Sequence, residues 1–216
     1  MDPNQENLNQ TEFKYTHGEV NTPFSLVHRM LSLFPEDFMK NPENKWLDPG
    51  CGQGNISWIL YKTLKEKLKH DGSIPSLSKH ILEEMLYMVE INEQREIGLL
   101  ERFSSHLPNL CIEDYRHYRP INNTEYVFFD AIICNPPFNY GGAIKTPTNS
   151  EINKLDDGFS AWEAFVRKSL SLLKDDGYMC FIVPTIWLKP DNAGMYDLLL
   201  KYNSTSPFLN ALINFS

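Results

Sequence analysis

Tyr126-Val127-Phe128-Phe129-Asp130-Ala131-Ile132-Ile133-Cys134 runs without a break into Asn135-Pro136-Pro137-Phe138. A short run this apolar, with one charge inside it, reads as a strand buried on both faces, as in a parallel sheet covered by helices. The prolines stop it. Each fixes φ and removes a backbone donor, so the turn presents carbonyl acceptors and few N–H groups. Asn135 precedes a proline and is pushed to an extended conformation. A side-chain oxygen, a main-chain carbonyl and an aromatic ring then stand side by side. That set suits a flat ring bearing an NH2 group, whose N–H bonds the acceptors hold and on whose face Phe138 stacks; a proline-stiffened loop is the plain alternative.

Reading outward, strands alternate with helices. Residues 45–50 (KWLDPG) form a short strand, and residues 55–68 carry Ile56, Ile59, Leu60 and Leu64 at helical spacing. Residues 70–78 are a loop, 86–91 a strand, 93–104 a helix and 110–112 a short strand. Residues 139–158 are a long polar loop. A helix over 162–173, a strand over 178–183, a helix over 192–202 and a final strand over 211–215 complete the pattern. Upstream, apolar residues from Phe24 to Phe34 recur at helical spacing and end at Pro35, and the first dozen residues are Asn/Gln-rich and loose. The expected fold is α/β, with a mostly parallel sheet and helices on both faces. Ligands of such sheets bind beyond the carboxyl ends of the strands, at the switch in strand order.

Three further features sit at such ends. Asp48-Pro49-Gly50-Cys51-Gly52-Gln53-Gly54 links a strand to a helix, and its spacing is G-x-G-x-G rather than the G-x-G-x-x-G of dinucleotide binders. Glycines there let backbone approach a ligand closely, although a tight structural turn reads the same. Glu90 ends the next strand, 42 residues beyond Asp48. An acid at that place can accept hydrogen bonds from both ribose hydroxyls of a nucleoside; a solvated surface acid is the plain alternative. Asp114 follows the third strand and would reach an exocyclic amine, with Glu113 as its competitor and a loop acid as the plain reading.

The 216 residues make one domain whose core needs no disulfide or metal. At 42% hydrophobic and 22% charged, the composition excludes wholesale disorder. The net charge of −8 argues against unaided binding to a polyanion. Cys51, Cys111, Cys134 and Cys180 lie in or beside apolar runs without metal spacing, and read as buried free thiols of a reducing, intracellular compartment, cytoplasmic or nuclear. No signal peptide or membrane span is expected.

Together these residues resemble the S-adenosylmethionine-dependent adenine-N6 DNA methyltransferases. Asp48–Gly54 looks like their cofactor turn, and Asn135–Phe138 like their catalytic tetrapeptide. His17-Gly18-Glu19-Val20-Asn21-Thr22-Pro23 is similar to the G-E-V-x-T-P segment of restriction–modification methyltransferases. The three occur in the order of the gamma arrangement, and the helix with Trp162 and Phe165 and the F-I-V-P-T-I-W-L stretch also match. The resemblance implies a Rossmann-like class I methyltransferase fold lacking its last hairpin strand. It implies S-adenosylmethionine held by Thr22, Pro23, Asp48, Gly50, Gly52, Gly54, Glu90, Asp114 and Asn135, and catalysis by Asn135, Pro136, Pro137 and Phe138 on an adenine flipped out of DNA. It implies a flexible segment over 1–15, a catalytic domain over 16–216, and no target-recognition domain. Pro49-Gly50-Cys51 departs from many relatives. Lys145, Lys154, Lys189 and Arg29 are few and scattered, so a separate recognition subunit or a missing C-terminal region is expected to supply DNA sequence reading. Methylation of RNA adenine or protein glutamine, and a non-catalytic cofactor-binding subunit, are the competing readings.

Overall fold

The computed structural model describes residues 21–70, 72, 74–104, 106–122, 124–138, 160–188, 194–199 and 212–215. Residues 1–20, the loop over 139–158, Lys145, Lys154 and Lys189 lie outside the described residues.

Six strands form the main sheet: β1 (Trp46–Asp48), β2 (Leu86–Glu90), β3 (Leu110–Ile112), β6 (Phe129–Cys134), β7 (Leu173–Pro184) and β8 (Leu212–Phe215). Two further short strands, β4 (Ile121–Asn122) and β5 (Glu125–Tyr126), pair antiparallel in a ribbon of their own. The order across the main sheet is β3-β2-β1-β6-β7-β8, and every pairing in it is parallel. The chain therefore steps outward from β1 to β3 on one side, then from β6 to β8 on the other. The reversal falls between β1 and β6, and the crevice between their carboxyl ends is where an open sheet of this kind takes its ligand.

Among the described residues the longer helices that cover it are α1 (Phe24–Leu31), α2 (Asn55–Leu68), α3 (Glu96–Phe103) and α4 (Ala161–Leu172). Side chains alternate faces along each strand, and the core divides accordingly. Trp46, Leu86, Met88, Ala131, Ile133, Cys180 and Ile182 pack with α1, α2 and α3. Leu47, Tyr87, Val89, Ile132, Cys134, Phe181 and Val183 pack with α4 and the helical residues 195–199. Helices thus lie on both faces, as the sequence pattern predicts.

Three local readings are corrected. Tyr126 belongs to the ribbon rather than to the buried strand, because the chain turns outward there; Tyr126 and Phe128 are exposed, and Val127 N–H donates to Pro120 O at 2.8 Å. The strand after α4 starts at Leu173, not Tyr178, since Leu173 pairs with Phe129 across an irregularity in register. Residues 77–85, unassigned from sequence beyond the loop reading, form a short helix running into a π-turn that buries Ile81, Leu82 and Met85.

Candidate active site

The glycine turn after β1 is stitched to β2. Cys51 N–H donates to Val89 O at 3.0 Å, and Gly54 N–H to Cys51 O at 2.7 Å. Glu90, at the end of β2, lays its carboxylate under the turn: Oε2 accepts from Gly52 N–H at 2.7 Å and Oε1 from Asn92 N–H at 2.8 Å. Gly54 has φ +78°, and a β-carbon added there would stand 2.7 Å from Leu99 Cδ2. Only glycine fits, and it sets α2 off from the loop. At Gly50 an added β-carbon would meet Phe165 Cε1 at 3.3 Å, so α4 packs directly on the turn.

Asp48 closes β1 and is fully buried. Ser57 donates its hydroxyl to Asp48 Oδ2 at 2.6 Å, while Asp48 Oδ1 is buried with no partner among the described residues. Burial pushes the carboxyl up to about 7; hydrogen bonds from Ser57 and the Gly50 backbone pull it down, and the neighbouring Glu90 charge pushes it up again. Burial, then the Asp48 charge, holds the thiols of Cys51 and Cys134 well above their ordinary range. Both stay protonated and are poor nucleophiles. Cys111 is only half-buried, which departs from the buried reading; its Sγ donates to Glu113 Oε1 at 3.0 Å.

Across the crevice Asn135 is half-buried just past β6. Its Nδ2 donates to Thr22 Oγ1 at 3.1 Å. Thr22, buried just ahead of α1, accepts on its carbonyl oxygen from Asn55 Nδ2 at 3.0 Å, and Asn55 Oδ1 accepts from Arg102 Nη1 at 2.7 Å. Pro23 is exposed and caps α1. Pro136 is buried, Pro137 half-buried, and Phe138 half-buried against both layers of the core.

Asp114 stands two residues past β3, and its carboxylate grips Arg116 through several hydrogen bonds. Partial burial raises its carboxyl, but the bonds and charge of Arg116 outweigh this and hold it below its ordinary value. Glu113 N–H donates to Glu90 O at 2.9 Å, so the acidic ends of β2 and β3 lie side by side. Beneath them the Tyr115 hydroxyl and Ser169 Oγ, both buried, are 2.8 Å apart, and the Tyr115 ring lies 4.9 Å from that of Phe165.

The fold thus brings Thr22, the glycine turn, Glu90 and Asn135 into one connected set. Sequence reasoning does not single out Ser57, Asn55 or Arg102. Ser57 and Asn55 sit in the first turn of the helix after the glycines, a place from which polar side chains can reach back to the loop. Nothing in the sequence marks Arg102, whose role depends on how α3 lies against Gly54. Among the described residues no group of His, Cys, Asp and Glu is placed to hold a metal, and no helix is long and apolar enough to cross a membrane.

The profile of the Eco57I restriction-modification methylase family matches residues 67–216. The type II restriction enzyme and methyltransferase RM.Eco57I of Escherichia coli is 32% identical over 110 residues, 48% of this chain and 11% of its own length. The type II methyltransferase M.BsuBI of Bacillus subtilis is 25% identical over 186 residues, 77% of this chain and 33% of its own. The chain therefore spans a third or less of the curated relatives it matches. Among solved structures, a modification subunit of a putative type I restriction enzyme from Vibrio vulnificus superposes with a TM-score of 0.60 at 17% identity, covering 91% of this chain and 41% of that one. A putative class I S-adenosylmethionine-dependent methyltransferase from Listeria monocytogenes gives 0.57 at 18%, covering 83% and 51%. The fold is that of the Rossmann-like class I methyltransferases.

Proposed function

The chain belongs to the Eco57I restriction-modification methylase family, and from that premise we propose that it transfers a methyl group from S-adenosylmethionine to the N6 amine of adenine in DNA. One observation carries the reading: Asn135-Pro136-Pro137-Phe138 ends the strand at the switch point, and a hydrogen bond ties Asn135 to Thr22 across from the glycine turn.

The residues present fit the cofactor. The Asp48 carboxyl, buried at the end of β1, lends negative potential toward the cationic amino-acid end of such a molecule. Backbone at Gly52 carries no side chain to obstruct it, and Gly50 lets the turn pack against Phe165. Thr22, Pro23, Gly54, Glu90 and Asp114 complete the assigned set, with Glu90 placed for the ribose hydroxyls. When bound, the cofactor supplies an electrophilic methyl group on a sulfonium.

The chain's own work lies on the amine. Asn135 Oδ1 and the Pro136 carbonyl accept the two N6–H bonds. They localise the nitrogen lone pair that the ring otherwise draws in, and they stabilise the positive charge developing on nitrogen. Phe138 holds the ring face, which requires the base to leave the duplex stack. Methyl capture leaves N6 one proton in excess, and that proton passes to water. The partners under this reading are DNA and a recognition subunit or domain that reads its sequence. That division is in keeping with a neighbour described as a type I modification subunit.

Incubation with methyl-labelled cofactor and duplex or single-stranded DNA, followed by nucleoside mass spectrometry, tests the reading. N6-methyladenine is the expected product. Label appearing only in RNA or in protein glutamine transfers the mechanism to another amine or amide, and label in none of them refutes it.

A further inference from the structure

Hydrogen bonds link four residues from four separate stretches, passing through the Thr22 main chain between the second bond and the third. Arg102, at the end of α3, donates from Nη1 to Asn55 Oδ1 at 2.7 Å. Asn55, the first residue of α2, donates from Nδ2 to the Thr22 carbonyl at 3.0 Å. Asn135 donates from its own Nδ2 to Thr22 Oγ1 at 3.1 Å. Chemistry forces the sense of the first two bonds. A guanidinium has donors only, so the oxygen of Asn55 faces Arg102 and its NH2 faces Thr22, whose carbonyl can only accept. The stem of Arg102 runs close over the glycine turn: a β-carbon added at Gly54 would lie 3.8 Å from Arg102 Cδ.

We infer that Arg102, acting through Asn55 and the Thr22 main chain, holds the Thr22 hydroxyl where it bonds the Asn135 amide, and so positions that amide for the substrate amine. The inference rests on the adenine-amine reading. A half-buried side chain just past a strand end has several staggered rotamers open to it, and a hydrogen bond to a fixed partner selects among them. Here the choice decides function. An NH2 turned toward N6 sets donor against donor and removes the acceptor that stabilises charge on the attacking nitrogen. Thr22 Oγ1 bonds the amide at its nitrogen, and the oxygen lies at the other end of the amide. Asn55 and Arg102 keep the Thr22 main chain at the distance where it can do so. Neither touches the reacting atoms; both are positioning residues.

Arg102→Met keeps the stem over the turn and removes the donors. Its single-turnover methyl transfer is expected to fall about tenfold, the scale of one lost orienting hydrogen bond, while cofactor affinity stays within about twofold. In an Asn135→Ala background the same change should cost nothing further, because a residue that acts through Asn135 has nothing left to act on. Thr22→Val should slow transfer likewise, and Thr22→Ser should restore it. Should Arg102→Met not fold, Asn55→Asp serves in its place, since it keeps the Arg102 pairing and loses the donor to Thr22. A wild-type rate in these variants, or an equal loss without Asn135, overturns the inference. A second readout needs no activity on DNA. The side-chain NH2 of Asn135, identified in nitrogen-15 spectra by its disappearance in Asn135→Ala, should exchange faster with solvent in Arg102→Met and Thr22→Val. Unchanged exchange overturns the relay, whereas an inactive wild type with the exchange effect intact overturns only the adenine reading.

Discussion

Asp48→Asn is close to isosteric and removes one buried charge. The side chain is fully buried, Ser57 bonds one oxygen, and the other has no partner among the described residues. Its carboxyl ionises near 7 in the folded chain against an ordinary 3.8. The folded state therefore keeps a proton that the unfolded chain gives up. Stability from this group is complete below pH 3.8 and is lost as pH rises toward 7. At about 1.4 kcal/mol per pH unit, the whole loss is at most about 4 kcal/mol. Asparagine carries no such penalty. Urea unfolding of both proteins from pH 5 to 8.5 isolates the term, because every other titrating group is shared. Asp48→Asn should be about 1–2 kcal/mol more stable than wild type at pH 5 and about 4 kcal/mol more stable above pH 7, so the gap widens by roughly 2–3 kcal/mol across the range. A difference between the two proteins that does not change with pH refutes the buried-acid argument. The same substitution should weaken S-adenosylmethionine binding, since the negative potential at the end of β1 is gone. Binding of a cationic group beside Asp48 favours its ionised form, so wild-type affinity should rise with pH around 7 and that of the variant should not.

Asn135→Ala should cut methyl transfer by at least about a hundredfold while cofactor affinity stays within a few-fold, because its oxygen matters most as charge develops on nitrogen; equal single-turnover rates would refute the mechanism. Glu90→Gln leaves one of the Gly52 and Asn92 backbone donors without its acceptor, so stability should drop by about 1–3 kcal/mol even without cofactor, and an unchanged urea midpoint removes Glu90 as a strut of the turn. The chain alone should bind DNA weakly, without sequence preference and with strong salt dependence, given its net charge of −8; nanomolar, sequence-selective binding at physiological salt would show a recognition surface already present.

Periodicity and punctuation make much of this fold legible in sequence. Residues 55–68 repeat apolar side chains at helical spacing, and α2 spans Asn55–Leu68. The prolines after Cys134 stop β6 where rigid φ and missing donors require. The error at Tyr126 arises because Tyr126, Val127 and Phe128 are as apolar as a strand; only tertiary context puts Tyr126 and Phe128 on the surface. Helix 77–80 and its π-turn hide behind the Gly72 and Pro75 loop signals. Within the site, residues placed at strand ends are readable one at a time. Their partners are not: the bond from Thr22 to Asn135 spans 113 residues and that from Arg102 to Asn55 spans 47. No local pattern encodes contacts at such separations.

The charges at the sheet's carboxyl edge limit what the site can hold. Asp48, Glu90 and the Glu113–Asp114 pair close three neighbouring strands, β1, β2 and β3. Asp114 is bound directly by a basic side chain, Arg116. Burial first, and repulsion from the Glu90 charge in smaller part, raise the Asp48 carboxyl to about 7. A ligand carrying positive charge relieves that repulsion, and a phosphate sharpens it. The β3-β2-β1 half of the edge is thus suited to a sulfonium with an ammonium group and unsuited to a nucleic-acid backbone. Asn135 and Phe138 stand beyond it, on the β6 side, where the groups offered are neutral. On the proposed reading, the acidic half of the edge therefore orders the two substrates: the cation belongs over β1 and β2, the neutral base belongs at β6, and the amine and the methyl group meet at the seam between them.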